Sequence, residues 1–448
     1  MIIDLPSPLS LEYIAKATDA KLHQSNAKIY IKRICTHSSE AKNGTLFIAL
    51  HGKEQNTELY VSEAIDRGGY ALCHTLGKNR LTVKNTENAL LKLASKATED
   101  KNIPIRVGIT GSVGKTTTKN MLTHILSASL EVHSTEGNFN NTLGLPITLL
   151  KAKNGTEAII CEMGMNSQGE ISALSKCMKP TIGVITKIGL AHIGMLGNRQ
   201  AIADAKAEIQ DGMDKGAIFV PGNEPLLSHL LNVRTVSSNS NSGDCRFYMD
   251  NGSYSYRSSK TSINGICPRF TSPHILECLA FCVSVATELE MEGELIKRQV
   301  ESLDSHILRH SVKVIRGVTV INDSYNSSPE ALESGLKMLE DYVGVQKILC
   351  LGDMLELGDY SVQLHKKAGI NAKRVATKAY YKGVYSEYFK SGYGQDAIIS
   401  PPEETKDELA KRIVKDATPG SVIYFKASHA LGFGELVSLV EGGLASDE

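Results

Sequence analysis

The sequence lacks any excess of charge, because 49 basic and 49 acidic side chains give its 448 residues a formal net charge of +0. A neutral chain has no global field that attracts nucleic acid, so we expect no nucleic-acid partner and any anionic ligand must be held locally. The sequence also lacks an apolar run of about 18 residues and the basic and apolar regions of a signal peptide. These absences predict a cytoplasmic protein without membrane insertion.

Clustered cysteines and internal repeats are also absent. The nine cysteines are scattered, and the closest pair, Cys278 and Cys282, has no second pair nearby to complete a zinc site. Buried, reduced thiols are therefore expected. Hydrophobic residues at 42% and charged residues at 22% are typical of a globular protein. The length is enough for two to four domains.

Apolar strand-like runs alternate with helical periods along most of the chain, which predicts an α/β fold with three domains. We expect a small N-terminal α/β domain at 1–100, a central domain with a doubly wound parallel sheet at 101–306, and a Rossmann-like α/β domain at 307–448. The polar run 98–104 is the expected linker out of the first domain, and Asn251-Gly252 predicts a hairpin. The central strands are expected at 107–109, 131–133, 158–161, 182–186 and 217–220.

The segment Ile105–Thr118 is an apolar strand that enters a glycine loop, and the loop ends in Lys-Thr and opens a helix. Backbone N–H groups of such a loop cradle phosphates, the lysine reaches the outer phosphates and the threonine hydroxyl ligates magnesium. Because five residues separate Gly108 from Gly114, the working motif is the shorter Thr110-Gly111-x-x-Gly114-Lys115-Thr116. A glycine turn with a surface lysine is the structural alternative. The expected nucleotide-binding residues here are Gly111, Ser112, Gly114, Lys115, Thr116 and Thr117.

Other candidate residues follow the predicted strands, where ligands of such sheets bind. Glu162 directly follows the strand 158–161 and is expected to bind magnesium together with Thr116. His192 lies beyond the strand that ends at Thr186, and Lys206 follows on a predicted helix; a loop histidine and a solvated lysine are the structural alternatives.

Two further polar runs are candidates for ligand binding. In the run 136–146, the side-chain amides of Asn138 and Asn141 can donate to phosphate oxygens, although asparagines also favour turns. In the third domain, Asp323 follows a strand and could accept from ribose hydroxyls, while Ser327 or Ser328 could instead serve to cap the helix at Pro329.

These motifs together resemble the Mur ligases, the ATP-dependent amide-forming ligases of peptidoglycan synthesis. The segments that carry the resemblance are Gly108–Thr118, Glu136–Pro146, Asn322–Asn326 and Leu351–Gly358, followed by His365. The resemblance implies ATP and two Mg²⁺ sites, with His192 and Lys206 at the second magnesium and Lys206 carrying a carbamate. It also implies that Arg309 and Asp323 contact ATP when the third domain closes, and that Lys115, His192 and Lys206 are catalytic.

The resemblance further implies the reaction. The γ-phosphoryl group would pass to the terminal carboxylate of UDP-MurNAc-tripeptide, and the amine of D-alanyl-D-alanine would attack the resulting acyl phosphate. The first domain would bind the UDP-sugar, the third domain the incoming amine, and the protein would act as a monomer. The positions that depart from the family pattern are Ser38-Ser39, Asn56-Thr57-Glu58, Lys187, Ile275, Cys278 and His429.

Two other functions remain open from the sequence. The same chemistry could act on another carboxylate and amine, as in a folylpolyglutamate-type ligase. The chain could instead be a nucleotide-binding remnant without catalysis, although such a module has no need for a second metal site. A GTPase switch is disfavoured because the guanine-reading sequence Asn-Lys-x-Asp does not occur.

Overall fold

The computed structural model describes residues 2–22, 29–50, 56–240, 242–268, 273–304, 311–343 and 345–446. These residues form three sheets in chain order, each flanked by helices. The mixed α/β fold class is therefore confirmed. Arg309 lies outside the described residues.

The first sheet has six strands in the order β1-β3-β4-β5-β6-β2. Strands β3 to β6 pair in parallel, and β1 and β2 close the two edges antiparallel. The strands are β1 (Ile2–Ser10), β2 (Lys21–Leu22), β3 (Tyr30–Cys35), β4 (Thr45–Ile48), β5 (Tyr70–Cys73) and β6 (Arg80–Thr82). The helices are α1 (Leu11–Thr18), α2 (Val61–Asp66) and α3 (Thr86–Asp100).

The expected linker at 98–104 is wrong in its first half, because helix α3 continues through Asp100. Asn85 caps the helix by accepting from Asn88 N at 2.7 Å. The apolar side chains of helix α3, such as Leu90 and Leu93, recur at helical spacing and are buried. This buried face outweighs the polar composition at the end of the helix.

The second sheet has nine strands in the order β15-β14-β13-β12-β11-β10-β7-β9-β8. The strands are β7 (Ile105–Thr110), β8 (Val132–Ser134), β9 (Ala158–Glu162), β10 (Ile182–Ile185), β11 (Ala217–Pro221), β12 (Val233–Ser238), β13 (Cys245–Asp250), β14 (Ser253–Arg257) and β15 (Ser262–Ile266). The helices are α4 (Lys115–Leu126), α5 (Gly144–Lys151), α6 (Glu170–Met178), α7 (Ile193–Leu196), α8 (Arg199–Ala207), α9 (Pro273–Glu288) and α10 (Gly293–Glu301).

Strands β7 to β13 pair in parallel, and helices cover both faces of this sheet. Ile160 of β9 packs with side chains of α4 and α9, whereas its neighbours Ile159 and Cys161 pack with α5 and α6. The predicted doubly wound sheet is confirmed, and so is the hairpin at Asn251, which joins β13 and β14. The sheet extends further than predicted, since β12 to β15 continue it.

The third sheet has six strands in the order β16-β17-β21-β18-β19-β20 and is parallel except for the pair β16 and β17. The strands are β16 (Ser311–Ile315), β17 (Val318–Asn322), β18 (Lys347–Gly352), β19 (Lys378–Lys382), β20 (Ile398–Ile399) and β21 (Val422–Lys426). The helices are α11 (Pro329–Glu340), α12 (Ser361–Val375), α13 (Ser386–Tyr393), α14 (Lys406–Asp416) and α15 (Phe433–Ala445).

All nine cysteines are buried and free, as expected from their spacing. Within the described residues, none of the helices is both long enough and apolar enough to cross a membrane.

Candidate active site

A cavity of about 530 Å³ lies where the carboxyl ends of the second sheet face the third sheet. Residues of the second and the third sheet units line this cavity, so a ligand bound there would contact both units. The predicted residues that line it are Ser112, Gly114, Lys115, Thr116, Thr117, Asn138, Asn141, Glu162, His192, Lys206 and Asp323. The fold therefore brings eleven of the predicted residues together around one cavity.

The loop between β7 and α4 has the backbone geometry of a phosphate cradle. Gly111 and Gly114 adopt φ values of +144° and +93°, which L side chains rarely adopt. A Cβ atom on Gly111 would lie 2.0 Å from Thr186 Oγ1, so only glycine fits there. Thr186 in turn donates to Val113 O at 2.5 Å and fixes the loop to β10. The N-terminus of α4 consequently points into the cavity, where its N–H groups can bind an anion.

Two polar side chains of this region meet beneath the loop. Thr116 Oγ1 donates to Glu162 Oε2 at 3.1 Å, and Glu162 is only 1% exposed. The other carboxylate oxygen, Oε1, is buried without a hydrogen-bond partner. Lys115 Nζ lies back across the loop and donates to Gly111 O at 2.5 Å. A buried carboxylate oxygen without a partner is costly unless a cation or a donor completes it.

Lys206 is buried, with 2% of its surface exposed, although it lies on the surface helix α8. Burial lowers the pKa of its ammonium group well below the usual range, and the Lys115 cation lowers it further. The solvated-helix alternative is therefore wrong. A lysine with a strongly lowered pKa presents a neutral, nucleophilic amine.

His192 lies between the two parts of the site. It precedes α7 in the left-handed conformation, with φ of +67°, and its Nδ1 lies 2.6 Å from Glu356 Oε2. The histidine contact lowers the pKa of Glu356, against the opposing effect of burial. Sequence reasoning quoted Glu356 only as part of a motif and did not assign it this contact, which joins residues far apart in the chain.

The asparagine run faces the cavity and also makes a turn contact at the start of a helix. Asn138 and Asn141 line the cavity, yet Asn141 Oδ1 also accepts from Gly144 N at 2.8 Å at the start of α5. Ser112 is similar, because its Oγ accepts from Gly189 N at 3.0 Å and so supports the neighbouring loop. These side chains shape the cavity wall as well as facing it.

Asp323 is held by two groups that the sequence did not single out. Lys426 Nζ lies 2.6 Å from Asp323 Oδ2, and Tyr424 OH donates to the same oxygen at 2.7 Å. Burial and the nearby carboxylate raise the pKa of Tyr424, which stays protonated. Asp323 thus enters the cavity as a preoriented carboxylate. The capping alternative for the same run also holds, since Ser328 Oγ accepts from Ala331 N at 3.3 Å.

The motif Leu351–Gly358 and His365 form a rigid support. Asp353 is buried and accepts from Val384 N at 2.8 Å and Tyr381 OH at 3.0 Å. His365 Nε2 accepts from Met354 N at 2.9 Å, and burial lowers the pKa of its ring. These contacts fix the segment that carries Glu356 into the cavity.

Four departures from the family pattern lie at or beside the cavity, and two of them, Ile275 and His429, line it. Cys278 Sγ contacts Gly114 O at 3.8 Å, and Lys187 Nζ lies 3.7 Å from Glu277 Oε2. His429 packs against Tyr325 with ring centroids 5.4 Å apart.

A parallel sheet with a glycine phosphate loop, a buried acid after the adjacent strand and a second α/β unit across the cavity define a nucleotide-dependent enzyme of the phosphate-loop class. The chain matches the model of the Mur ligase middle domain at residues 109–268 and that of the Mur ligase, glutamate ligase domain at residues 309–429. A relative from Bacillus subtilis, UDP-N-acetylmuramoyl-tripeptide–D-alanyl-D-alanine ligase, is 31% identical over 436 residues, which cover 93% of this chain and 94% of the relative. The chain belongs to the Mur ligase family.

Solved structures agree with this assignment. A crystal structure of MurF from Acinetobacter baumannii superposes with a TM-score of 0.88 at 26% identity and covers 98% of this chain and 100% of that one. MurF from Thermotoga maritima, solved in complex with ADP, gives a TM-score of 0.81 at 26% identity, with 92% and 97% covered. The similarity therefore extends over all three sheets.

Proposed function

We propose that this chain joins D-alanyl-D-alanine to UDP-MurNAc-tripeptide, with ATP as the energy source and an acyl phosphate as the intermediate. The observation that carries the proposal is the single cavity, in which the phosphate loop, Glu162, His192 and Lys206 face Asp323 from the third sheet. The relatives that are similar over most of the chain have this activity by name. ATP and a UDP-linked substrate correspond to a cytoplasmic reaction.

We also propose three domains with separate tasks. Residues 1–100 would hold the UDP-sugar, residues 101–306 would hold ATP, and residues 307–448 would close over ATP and hold the incoming amine. Because one chain supplies both walls of the cavity, we propose a monomer.

The residues present fit magnesium. Mg²⁺ is bound in phosphoryl-transfer sites by one or two carboxylates and by phosphate oxygens rather than by an all-protein cage. Among the described residues no group of three or more histidine, cysteine or acidic side chains forms such a cage. Glu162, with its unpartnered Oε1, and Thr116 would hold one ion, and His192 with a carbamate on Lys206 would hold the second. Bound metal would neutralise charge between two anions.

The protein groups themselves do three things in this reaction. The loop N–H groups and Lys115 orient the phosphates of ATP and stabilise the charge on the transferred group. Asp323, fixed by Lys426, would bind the ribose hydroxyls. The asparagine amides would donate to anionic oxygens without adding charge. Alignment of the carboxylate with the γ-phosphorus then supplies much of the rate enhancement, since no side-chain nucleophile is required.

We propose that Lys206 carries a carbamate. Its neutral amine would add to the carbon of CO₂ and release one proton, giving an N-bonded carboxylate in place of the amine. We expect Lys206→Ala to lower the rate by about 100-fold or more, as for the loss of a metal ligand, and short-chain carboxylates to restore part of it. Lys176→Ala, at a lysine exposed on α6, is the matched control. A rate for Lys206→Ala within twofold of the wild-type rate would refute this role. The absence of a carbamate signal in ¹³C NMR of the wild type under labelled CO₂ would refute it as well.

A ligase acting on another carboxylate and amine is the second candidate, because the departures at Ser38-Ser39 and Asn56-Thr57-Glu58 permit a different substrate. These residues lie in the first domain, which neither family model covers. The chemistry of the cavity would be unchanged, and only the group held by the first domain would differ.

The decisive assay is phosphate release from ATP with UDP-MurNAc-tripeptide and D-alanyl-D-alanine, each omitted in turn. We expect release only when both are present, together with UDP-MurNAc-pentapeptide in the mass spectrum. Release that requires a different acceptor pair would overturn the substrate assignment and keep the mechanism. The absence of ATP-dependent turnover with every such pair would favour the non-catalytic alternative.

A further inference from the structure

The segment Gly189–Gly194 of the second sheet unit makes several contacts with the third sheet unit. Leu190 N donates to Glu330 Oε1 at 2.7 Å, and Gly194 N donates to Glu356 O at 3.0 Å. His192, between them, meets the Glu356 carboxylate. Three contacts within six residues therefore join this segment to groups on the opposite wall of the cavity.

Glu356 is held firmly enough to act on His192. Its own backbone is left-handed, with φ of +65°, and the preceding Leu355 N donates to Ser428 Oγ at 2.9 Å. The Met354 N contact with His365 anchors the other end of the same turn. As a result both the carbonyl and the carboxylate of Glu356 face the segment 192–194.

The backbones of the two walls approach so closely that only glycine fits at the contact. A Cβ atom on Gly194 would lie 2.4 Å from Gly358 N and 2.8 Å from Glu356 O. Gly194 lies in α7 without a positive φ, so alanine is compatible with its own backbone. The three atoms nearest to such a Cβ atom all belong to the opposite wall.

The contact between His192 and Glu356 can orient a histidine that binds a metal ion. A ring nitrogen that donates to a carboxylate fixes the tautomer and the orientation of the ring, and it leaves the other nitrogen as a neutral acceptor for a metal ion. Nδ1 lies 2.6 Å from Glu356 Oε2, and a proton on Nδ1 facing this carboxylate leaves Nε2 as the free nitrogen.

We propose that Glu356 is a positioning residue that prepares His192 for metal binding, and that it does so only when the third unit is closed against the segment Gly189–Gly194. Closure and assembly of the second metal site are then one event. The ligand set for the second ion is therefore complete only when the contact between Glu356 and His192 is made. The inference rests on the proposed function through the assignment of His192 as a metal ligand.

The first test measures Mn²⁺ binding by EPR in the presence of a non-hydrolysable ATP analogue and UDP-MurNAc-tripeptide. We expect Glu356→Ala to weaken Mn²⁺ binding at the second site by about 10–100-fold, which is the usual effect of losing a residue that orients a metal ligand. The value of kcat should fall by a similar factor, and the KM for ATP should stay within about threefold of the wild-type value. Glu356→Gln, whose amide oxygen can still accept from Nδ1–H, should recover at least half of the loss on a logarithmic scale. Glu333→Gln, at an exposed ion pair on α11, is the matched control.

The second test separates the effect of closure between the two walls from the effect of the Glu356 carboxylate. Gly194→Ala should fold with an unchanged melting temperature, remain more open in small-angle scattering with ligands present, and lose the second Mn²⁺ site to the same extent. Gly434→Ala, where a Cβ atom meets nothing within 4 Å, is its control.

Two results would overturn the inference: second-site Mn²⁺ binding by Glu356→Ala equal to that of Glu333→Gln, or a Gly194→Ala protein that stays open yet binds both ions. Failure of the proposed function would give a different result. The wild-type protein would then form no product from the two named substrates, while the Mn²⁺ titrations would still measure the effect of Glu356.

Discussion

Replacing Lys115 with methionine should lower the turnover number by about 10³-fold, since a cation that stabilises charge on a transferred phosphoryl group contributes on this scale. Methionine keeps much of the side-chain length and removes the charge. The loop itself should survive, because its shape depends on Gly111 and on the Thr186 contact rather than on the lysine. The measurement is kcat from phosphate release at saturating substrates, with melting temperature as the check on folding.

The matched control for this change is Lys153→Met, at an exposed lysine in the loop before β9. It should leave kcat within twofold. A Lys115→Met enzyme that retains more than a tenth of the wild-type turnover would show that the lysine does not contact the transferred group.

Glu162→Gln should abolish most of the activity and at the same time stabilise the protein without ligands. The carboxylate is buried with Oε1 unpartnered, so a neutral amide removes a desolvated charge that costs free energy in the absence of a cation. As a direct ligand, Glu162 should affect activity by at least the ~100-fold seen for residues that only orient ligands. The melting temperature should rise by a few degrees without MgATP, and the further rise that MgATP produces in the wild type should shrink.

Glu131→Gln, at an exposed acid beside β8, is the control for both readouts. If Glu162→Gln melts below the wild type without MgATP yet keeps the full MgATP-dependent rise, Glu162 is a structural residue and the magnesium assignment is wrong.

Local sequence patterns predicted most of the central sheet and its phosphate loop, because each is encoded by neighbouring residues. The glycines fix the turn at Gly111, and the unbroken apolar run of β9 is typical of a strand that is buried on both faces. The hairpin at Asn251 followed from a two-residue signal of the same local kind. The end of α3 could not be predicted from a local signal, because the buried face of that helix outweighed the polar composition of its last turn.

The groups that complete the cavity were not predictable in the same way. Lys426 fixes Asp323, and Glu356 meets His192, only because the third sheet brings distant segments together. The contact between Gly194 and Gly358 has no local signature either, since each glycine looks like an ordinary turn residue in its own segment. Spacing alone could not decide between the site and solvated alternatives for Lys206, because its burial depends on the packing of α8 rather than on its flanking residues.

The central claim is that this chain activates a carboxylate as an acyl phosphate. The most direct measurement supplies UDP-MurNAc-tripeptide with oxygen-18 in its terminal carboxylate, together with ATP and D-alanyl-D-alanine, and determines the isotope content of the released phosphate by mass spectrometry. If the carboxylate oxygen attacks the γ-phosphorus and the amine then expels phosphate from the carbonyl, each phosphate carries one labelled oxygen. Pentapeptide product accompanied by unlabelled phosphate would contradict the account.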